Sequence, residues 1–238
     1  YLKKSDEIQK RTIPIVKTLL TQISEKKSIK KEINSATTKI TLRYGLIDMN
    51  RTITGYLKGN YNDSADKFET INGDSISTWN NFNWNSKHYC TSICIPSEFG
   101  TKIKSDGKNS IVTDSKIHTI THVLVNASKI LTKSESNDID AYYENGIIHL
   151  FDNTSDGYNG CSKMIYENFE EIMDTCFDLI NECDCPVDPK QKKSVSDGEE
   201  WGGCPKCTFT TNYCQTKNKK LSKNEALEFF SIFKREIK

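Results

Sequence analysis

The chain has 238 residues, 35% of them hydrophobic and 27% charged, which is enough to bury a core in one large domain or in a domain with an appendage. Its 33 lysines and arginines balance 32 aspartates and glutamates, and the formal net charge of +1 excludes a strong overall attraction to nucleic acid. No apolar run approaches the roughly 20 residues needed to span a bilayer, so we expect no membrane partner. The first residue is Tyr1 rather than methionine, which favours a fragment of a longer protein.

Residues 1–35 are rich in lysine and are predicted to form a helical lead-in. Apolar side chains recur there at helical spacing after a proline, at Val16, Leu19, Leu20 and Ile23. Residues 36–182 instead predict an α+β body, with mixed or antiparallel strands packed against helices. Within it, residues 38–57 show the alternation typical of two strands. Residues 59–86, rich in Asn, Asp, Ser and Gly, are predicted to be a long connection held by embedded aromatic side chains.

The second half of the body alternates between strand and helix patterns. A strand is predicted around Ile93, and residues 115–131 are predicted to form a helix because apolar positions return every three or four residues. This helix carries His118 and His122 on one face, a spacing that suits a metal. Thr119 stands where a zinc protease needs a glutamate, so we interpret the histidine pair as structural.

A hairpin and a long helix complete the predicted body. Asn145-Gly146 is a typical hairpin turn before the apolar run 147–151. The loop 152–160 carries glycines just before a helix and could present backbone N–H groups to an anion, although we favour a glycine-assisted turn capped by an aspartate. Residues 165–180 then form the clearest amphipathic helical pattern in the chain.

Residues 183–238 are predicted to form a C-terminal zinc module with a final helix. The run Gly203-Cys204-Pro205-Lys206-Cys207 has the cysteine spacing that lets two thiolates bind one tetrahedral metal. We expect four of five cysteines to hold one structural zinc ion: Cys183, Cys185, Cys204, Cys207 and Cys214. Disulfides and a redox-active dithiol are the alternatives, but the odd total of nine cysteines and the absence of a visible secretory signal favour zinc.

The order of these motifs resembles the C-terminal zinc-binding domain of superfamily 2 DNA-repair helicases of the MrfA and Hrq type. The resemblance covers roughly residues 38–233 and follows these motifs in order: Thr54-Gly55-Tyr56, His118-x-x-x-His122, Asp138-Ile139, Asp152 with its glycine loop, Cys183-x-Cys185, Gly203-Cys204-Pro205-x-Cys207 and Leu221-Ser222-Lys223. It implies that Cys183, Cys185, Cys204 and Cys207 are the four zinc ligands and that Cys214 is the spare cysteine. The family has a few residues between the two cysteine pairs, whereas residues 186–202 intervene here.

The resemblance also implies a function. We expect an accessory domain of an ATP-dependent DNA helicase, part of a nucleotide-binding complex in DNA repair, that helps to bind or guide DNA beside motor domains in the same polypeptide or in a partner subunit. The expected location is intracellular and cytoplasmic, at the nucleoid in a prokaryote. The segment itself shows no ATPase motif, because Gly107-Lys108 is followed by Asn109 and not by the Ser or Thr that holds magnesium. No catalytic residue is predicted.

The residues after the zinc turn favour a DNA partner independently of the resemblance. Between Cys204 and Lys223 there are five lysines, two interleaved aromatic residues and no carboxylate. This composition suits a single strand, whose phosphates need positive charge and whose bases need stacking surfaces. The predicted DNA-contacting residues are Lys206, Phe209, Tyr213, Lys217, Lys219, Lys220 and Lys223. The alternative is a zinc-stapled structural or protein-interaction module of a nucleic-acid-associated complex.

Overall fold

The computed structural model describes eight stretches of the chain: residues 9–21, 28–35, 38–62, 67–96, 115–144, 146–185, 203–210 and 221–234. Long strands occupy the first half of these stretches, and helices with one β-hairpin occupy the second half. The predicted α+β class is therefore confirmed. Among the helices of these stretches, none has the length and apolarity that crossing a membrane requires.

The chain is divided into two compact units. The first comprises Tyr1–Gln22 and Asp48–Lys87, and the second comprises Ile23–Ile47 and His88–Lys238. The cysteine segment and the last helix are therefore in the same unit as the helices of the predicted body. The sequence-based division at residues 35 and 182 stays a prediction about which parts fold on their own.

The predicted N-terminal helix is wrong, because strand β1 (Gln9–Thr21) occupies this part of the chain. β1 pairs antiparallel with β3 (Lys39–Asn62), and the register shifts close to Pro14, between Ile15 and Val16. Six of the 13 residues of β1 are β-branched, and such side chains favour an extended backbone over a helix. A proline cannot donate to a ladder, but β1 is at the edge of the sheet, where proline is tolerated.

A second correction concerns the long connection predicted over residues 59–86. β3 continues to Asn62, and β4 (Lys67–Cys94) is a strand throughout its length. Two polar side chains at the described end of this region bond to the neighbouring strand: Asn85 Oδ1 accepts from Asn50 Nδ2 at 2.7 Å, and Asn83 Oδ1 accepts from Thr52 Oγ1 at 2.6 Å. Residues that favour turns in isolation are thus accommodated in a sheet by cross-strand partners.

The second unit contains the remaining strands. β2 (Ile29–Asn34) pairs with the start of β3. β3 is a single strand, whereas the sequence predicts two strands over residues 38–57. The end of β4 pairs with β6 (Ile147–Asp152), and β6 pairs with β5 (Ile139–Glu144), all antiparallel. The strand order is β1-β3-β4-β6-β5, with β2 also on β3. The predicted hairpin is confirmed as β5 and β6, and its Gly146 has a φ of +80°, which glycine adopts without strain.

The helices of the second unit share its core with the strands and position the cysteines. They are α1 (Ser115–Thr132), α2 (Cys161–Glu167), α3 (Phe169–Asn181) and α4 (Lys223–Phe233). The single long helix predicted after the loop is divided at Asn168, whose side-chain amide donates to the Met164 carbonyl at 3.0 Å. α1, α3 and α4 pack on one another through fully buried side chains such as Leu124, Ile172 and Phe230.

Candidate metal centre

The cysteine cluster begins where α3 ends. α3 is amphipathic, and its buried face includes Ile172 and Cys176, which fix the helix in the core. The last turn closes with the Glu182 N–H donating to the Asp178 carbonyl at 2.9 Å. The chain then runs directly into the first cysteine pair, so the packing of α3 sets the position of these sulfurs.

The second cysteine pair lies in a tight turn closed around Cys204. The backbone N–H groups of Thr208 and Phe209 both donate to the Cys204 carbonyl at 3.0 Å, and the Cys204 N–H donates to Thr208 Oγ1 at 2.6 Å. Gly203 precedes the turn, and a Cβ at this position would be 2.5 Å from Leu221 Cδ1. A larger residue would therefore displace neighbouring side chains, which explains the glycine before the cysteine.

The end of α3 and this turn bring four sulfur atoms together. The ligand atoms all lie within 4.8 Å of one another and belong to Cys183, Cys185, Cys204 and Cys207. The Sγ atoms of Cys183 and Cys204 are 3.7 Å apart, and those of Cys185 and Cys207 are 3.9 Å apart. With zinc–sulfur bonds of about 2.3 Å, the sulfurs of a tetrahedral site are about 3.8 Å apart. The cluster fits a four-cysteine zinc site, and its spacing exceeds the roughly 2 Å of a disulfide.

The surroundings of the sulfurs make their acidities unequal. Burial opposes ionisation of Cys204, but the backbone N–H groups of Lys206 and Cys207 hold its pKa at about 7, below the usual value. Burial, together with the nearby charge of Cys204, raises the pKa of Cys207. Burial also raises the pKa of Cys185. The positive charge of a divalent cation would stabilise the thiolate forms of these cysteines, in which they bind a metal.

A lysine from α4 reaches the cluster. Lys223 is only 8% exposed, and its Nζ donates to Cys185 Sγ and to the Cys183 carbonyl oxygen, both at 3.0 Å. The sequence pattern predicts a DNA contact for this residue, whereas the structure places its ammonium group against the cysteines. One feature of the sequence indicates that Lys223 has an acceptor nearby. A cation in the first turn of a helix is unfavourable with respect to the helix dipole, and a hydrogen-bond acceptor offsets that cost.

The middle of α1 supports both the cysteine turn and the start of α4. His122 Nδ1 donates to the Thr208 carbonyl at 3.0 Å, and Asn126 Nδ2 donates to the carbonyl of the following residue at 2.8 Å. The Ser222 N–H donates to Thr119 Oγ1 at 2.7 Å. These three side chains of α1 are three and four residues apart and share one helix face. Sequence reasoning missed this face, because its partners are distant along the chain.

The histidine pair of α1 has a structural environment. The rings of His118 and His122 meet edge to face with centroids 4.3 Å apart. Burial, and then the charge of His118, lowers the pKa of His122 to about 4. Within the described stretches, the four cysteines form the only group of three or more side chains that could hold a metal.

The predicted DNA-contacting residues are only partly described. Lys206 is exposed, and its Nζ is 3.1 Å from Asp184 Oδ1. Phe209 is half-buried, and its carbonyl accepts the hydrogen bond from α1. The residues of both predicted sites that lie outside the described stretches are Tyr213, Cys214, Lys217, Lys219 and Lys220.

The glycine-bearing loop after β6 is capped by Asp152. This fully buried carboxylate accepts three backbone N–H groups: Oδ2 accepts those of Asn159 and Gly160 at 3.1 Å, and Oδ1 accepts that of Ser162 at 2.6 Å. The N–H groups that an anion would use thus already have an acceptor within the protein. The structure therefore favours the aspartate-capped turn over an anion site.

Comparisons with known proteins address the same segment. Residues 120–208, which include the four clustered cysteines, match the family model of the MrfA Zn-binding domain. No curated protein matches the sequence. Among solved structures, the DUF1998 helicase MrfA bound to DNA is similar, with 15% identity and a TM-score of 0.51 over 94% of this chain and 26% of that chain. The same helicase bound to DNA and AMPPNP is 14% identical, with a TM-score of 0.48 over 94% and 23% of the two chains.

The structural likeness and the family match have different weight. The chain spans about a quarter of the length of the helicase chains that it matches. At 15% identity, the first of these likenesses shows a shared fold. The family match concerns the zinc-binding segment itself and contains all four sulfurs that the structure brings together. Residues 120–208 of this chain are therefore similar to the MrfA Zn-binding domain, and they carry the four cysteines that such a domain needs to hold a metal.

Proposed function

We propose that this chain is the accessory zinc-binding part of an ATP-dependent DNA helicase and that it binds and guides single-stranded DNA beside the motor. The observation that carries the proposal is the cluster of four sulfurs, which has the spacing of a four-cysteine zinc site and lies within the segment that matches the MrfA Zn-binding domain. The ligands of the ion would be Cys183, Cys185, Cys204 and Cys207.

The zinc ion would have a structural role. Four protein sulfurs complete a tetrahedral shell, so no position is left for a reacting water or substrate. The sulfurs come from two separate stretches, one directly after α3 and one in the turn that α1 supports. A bound ion would therefore join parts of the second unit that are distant along the chain.

The fold likeness supports a place beside a helicase motor. The matched helicase, which is bound to DNA in its crystal structure, is about four times as long as the matched segment. We infer that the motor domains accompany this chain either in the same polypeptide or in a partner subunit, and that the complex serves DNA repair.

The basic stretch at the zinc turn supports a direct DNA contact. The side chains of Lys206 and Asp184 are 72% and 83% exposed, so their ion pair contributes little and a phosphate can replace the carboxylate. Lys217, Lys219 and Lys220 follow, and the sequence from Cys204 onward has no carboxylate before α4. Lys223 is not part of the proposed DNA surface, because its ammonium group contacts the cysteines.

The salt dependence of single-strand binding tests this proposal. For the Lys219→Ala, Lys220→Ala double variant, we expect weaker binding to every sequence and a salt slope smaller by roughly 1.4, because each phosphate contact on a single strand contributes about 0.7. Lys163→Ala is the matched control, since Lys163 is an exposed lysine of α2 that pairs with Glu167. Fluorescence anisotropy of a labelled oligonucleotide at several salt concentrations measures affinity and slope.

The zinc content of the same samples separates binding from folding. A double variant that keeps its zinc and retains both the affinity and the salt slope of the wild type would contradict the DNA-guiding role. The zinc-stapled protein-interaction module would then be the better explanation of the chain.

A further inference from the structure

We infer that Lys223 is a positioning residue of the zinc site, whose ammonium group neutralises part of the charge of the cluster and orients Cys185. The inference rests on the proposed occupation of the cluster by zinc. It assigns this lysine of α4 to the metal site and not to the DNA surface.

Lys223 is buried, and burial of its ammonium group is favourable only if hydrogen-bond acceptors replace the lost water. Its side chain is almost fully buried, and Nζ is 3.0 Å from both Cys185 Sγ and the Cys183 carbonyl oxygen. A buried ammonium group without such acceptors is strongly unfavourable. Both acceptors belong to the stretch directly after α3, so the lysine connects the first turn of α4 with the end of α3.

The charge of the metal site explains why a cation is needed there. Zinc with four thiolates carries a net charge of −2, and one ammonium group in contact reduces that charge to −1. A second lysine beside the cluster in the described stretches is not equivalent. Lys206 directs its Nζ to the carboxylate of Asp184, and only its backbone N–H points to a sulfur, with 3.3 Å to Cys204 Sγ.

The two contacts of Lys223 also fix the direction of Cys185. The Cys183 carbonyl holds the ammonium group, and the ammonium group donates to the Cys185 sulfur. This sulfur is 3.9 Å from Cys207 Sγ, which is the separation that a shared zinc ion requires. Groups that hydrogen-bond to metal ligands commonly change metal affinity 10- to 100-fold.

Zinc release from the full chain tests this role. Lys223→Met keeps the length and the apolar stem of the side chain but removes its charge and its hydrogen-bond donors. We expect zinc to pass to a competing chelator about 10-fold faster from this variant than from the wild type. Lys223→Arg keeps the charge and should recover much of the difference. Lys163→Met, at an exposed lysine of α2 outside the cluster, is the matched control and should release zinc at the wild-type rate.

Alkylation of individual cysteines distinguishes the proposed contact from simple packing. A thiolate that loses an N–H donor becomes a better nucleophile. In the zinc-loaded Lys223→Met variant, mass spectrometry should therefore show that alkylation of Cys185 is accelerated more than that of the other three clustered cysteines. A general loosening of the site would accelerate all four to a similar extent.

The wild-type protein decides the matter if Lys223→Met does not fold. A correlation spectrum of lysine ¹⁵N ammonium groups should then show one slowly exchanging group in the zinc-loaded chain that Lys223→Arg lacks. Absence of that group, or unchanged zinc release and Cys185 alkylation in folded Lys223→Met, would overturn the inference for Lys223 alone. A wild-type chain that binds no zinc would overturn the zinc site together with this inference.

Discussion

Solvent exposure differs among the four clustered cysteines. Cys207 is fully buried and Cys204 is nearly so, whereas Cys183 and Cys185 are half-buried. A chelator or an oxidant therefore meets the sulfurs after α3 first. The sulfurs of the turn can reach solvent only when the turn opens, so we expect them to contribute most to metal retention.

The Cys207→Ser variant should lose zinc and much of the stability of the second unit. A serine hydroxyl is a poor replacement for a thiolate, and a structural zinc ion contributes on the order of 10 kcal/mol of binding energy to small domains. Metal analysis of the purified reduced protein and thermal unfolding measure the two effects. Cys94→Ser is the matched control, because Cys94 is a half-buried cysteine of β4 outside the cluster. Equal zinc content in the two variants would contradict the proposed site.

His149 on β6 should make stability depend on pH. Its Nδ1 is 2.8 Å from Ser92 Oγ, and burial lowers its pKa from 6.5 to about 4. As the pH falls below 6.5, the unfolded chain binds a proton before the folded protein does. The stabilisation is thus present above the unfolded pKa and is lost as the pH falls toward the folded pKa. From this residue alone we expect about 2 kcal/mol less stability at about pH 5 than at about pH 7.5.

Urea unfolding of the wild type and of His149→Asn measures this contribution. The asparagine oxygen can replace Nδ1 as the partner of Ser92, but it does not titrate. The loss of stability between the two pH values should be smaller by about 2 kcal/mol in the variant. Both proteins keep the cysteine cluster, so the pH dependence of the cluster cancels. The same loss in both proteins would exclude His149 as the titrating group.

At the scale of elements, the start of α2 depends on a cap supplied by β6. In Asp152→Asn, one carboxylate oxygen becomes an NH2 group that cannot accept a hydrogen bond. We expect the free energy of unfolding to fall by about 2 kcal/mol, because a buried, charge-assisted contact to backbone N–H groups is lost. Asp156→Asn is the matched control in the same loop, since Asp156 is exposed. Urea unfolding that gives equal losses for the two variants would contradict the capping role.

The sequence predicts those elements that have a hydrophobic period of their own. α1, α4 and the β5–β6 hairpin show such periods and turn residues, and their predictions are correct. β1 and the polar part of β4 have weaker patterns, and β1 pairs with a strand that is distant along the chain. Such partners are not visible in a local window of sequence.

The candidate site is also only partly predictable from local sequence. The spacing within each cysteine pair is local, so the sequence predicts a metal site made by four of five cysteines. The choice of Cys183, Cys185, Cys204 and Cys207 comes from the resemblance, and the structure brings these four together. The contact between Lys223 and Cys185 joins residues 38 positions apart, and that between Ser222 and Thr119 joins residues 103 positions apart. Contacts over such separations depend on how α1, α3 and α4 pack, which the local spacing does not specify.

At the scale of the whole molecule, the chain should not hydrolyse ATP by itself. A motor needs a phosphate-binding loop, and Gly107-Lys108-Asn109 lacks the Ser or Thr that holds magnesium. Phosphate release by the purified chain, with and without single-stranded DNA, should equal the buffer background. A longer polypeptide that includes a motor should release phosphate. Turnover that stays with the 238-residue chain through repeated purification would contradict the accessory role.

The number of residues between the two cysteine pairs can vary with little effect on the free energy of zinc binding. Residues 186–203 lie between Cys185 and Cys204, so a bound ion would close a loop of chain across them. The entropy of closing a flexible loop rises only with the logarithm of its length, and each doubling costs about 0.6 kcal/mol. That cost is small beside the roughly 10 kcal/mol that a structural zinc ion contributes. Insertions or deletions between the pairs should therefore reduce the stability of the metal site only slightly. A peptide tag inserted there should leave the metal bound.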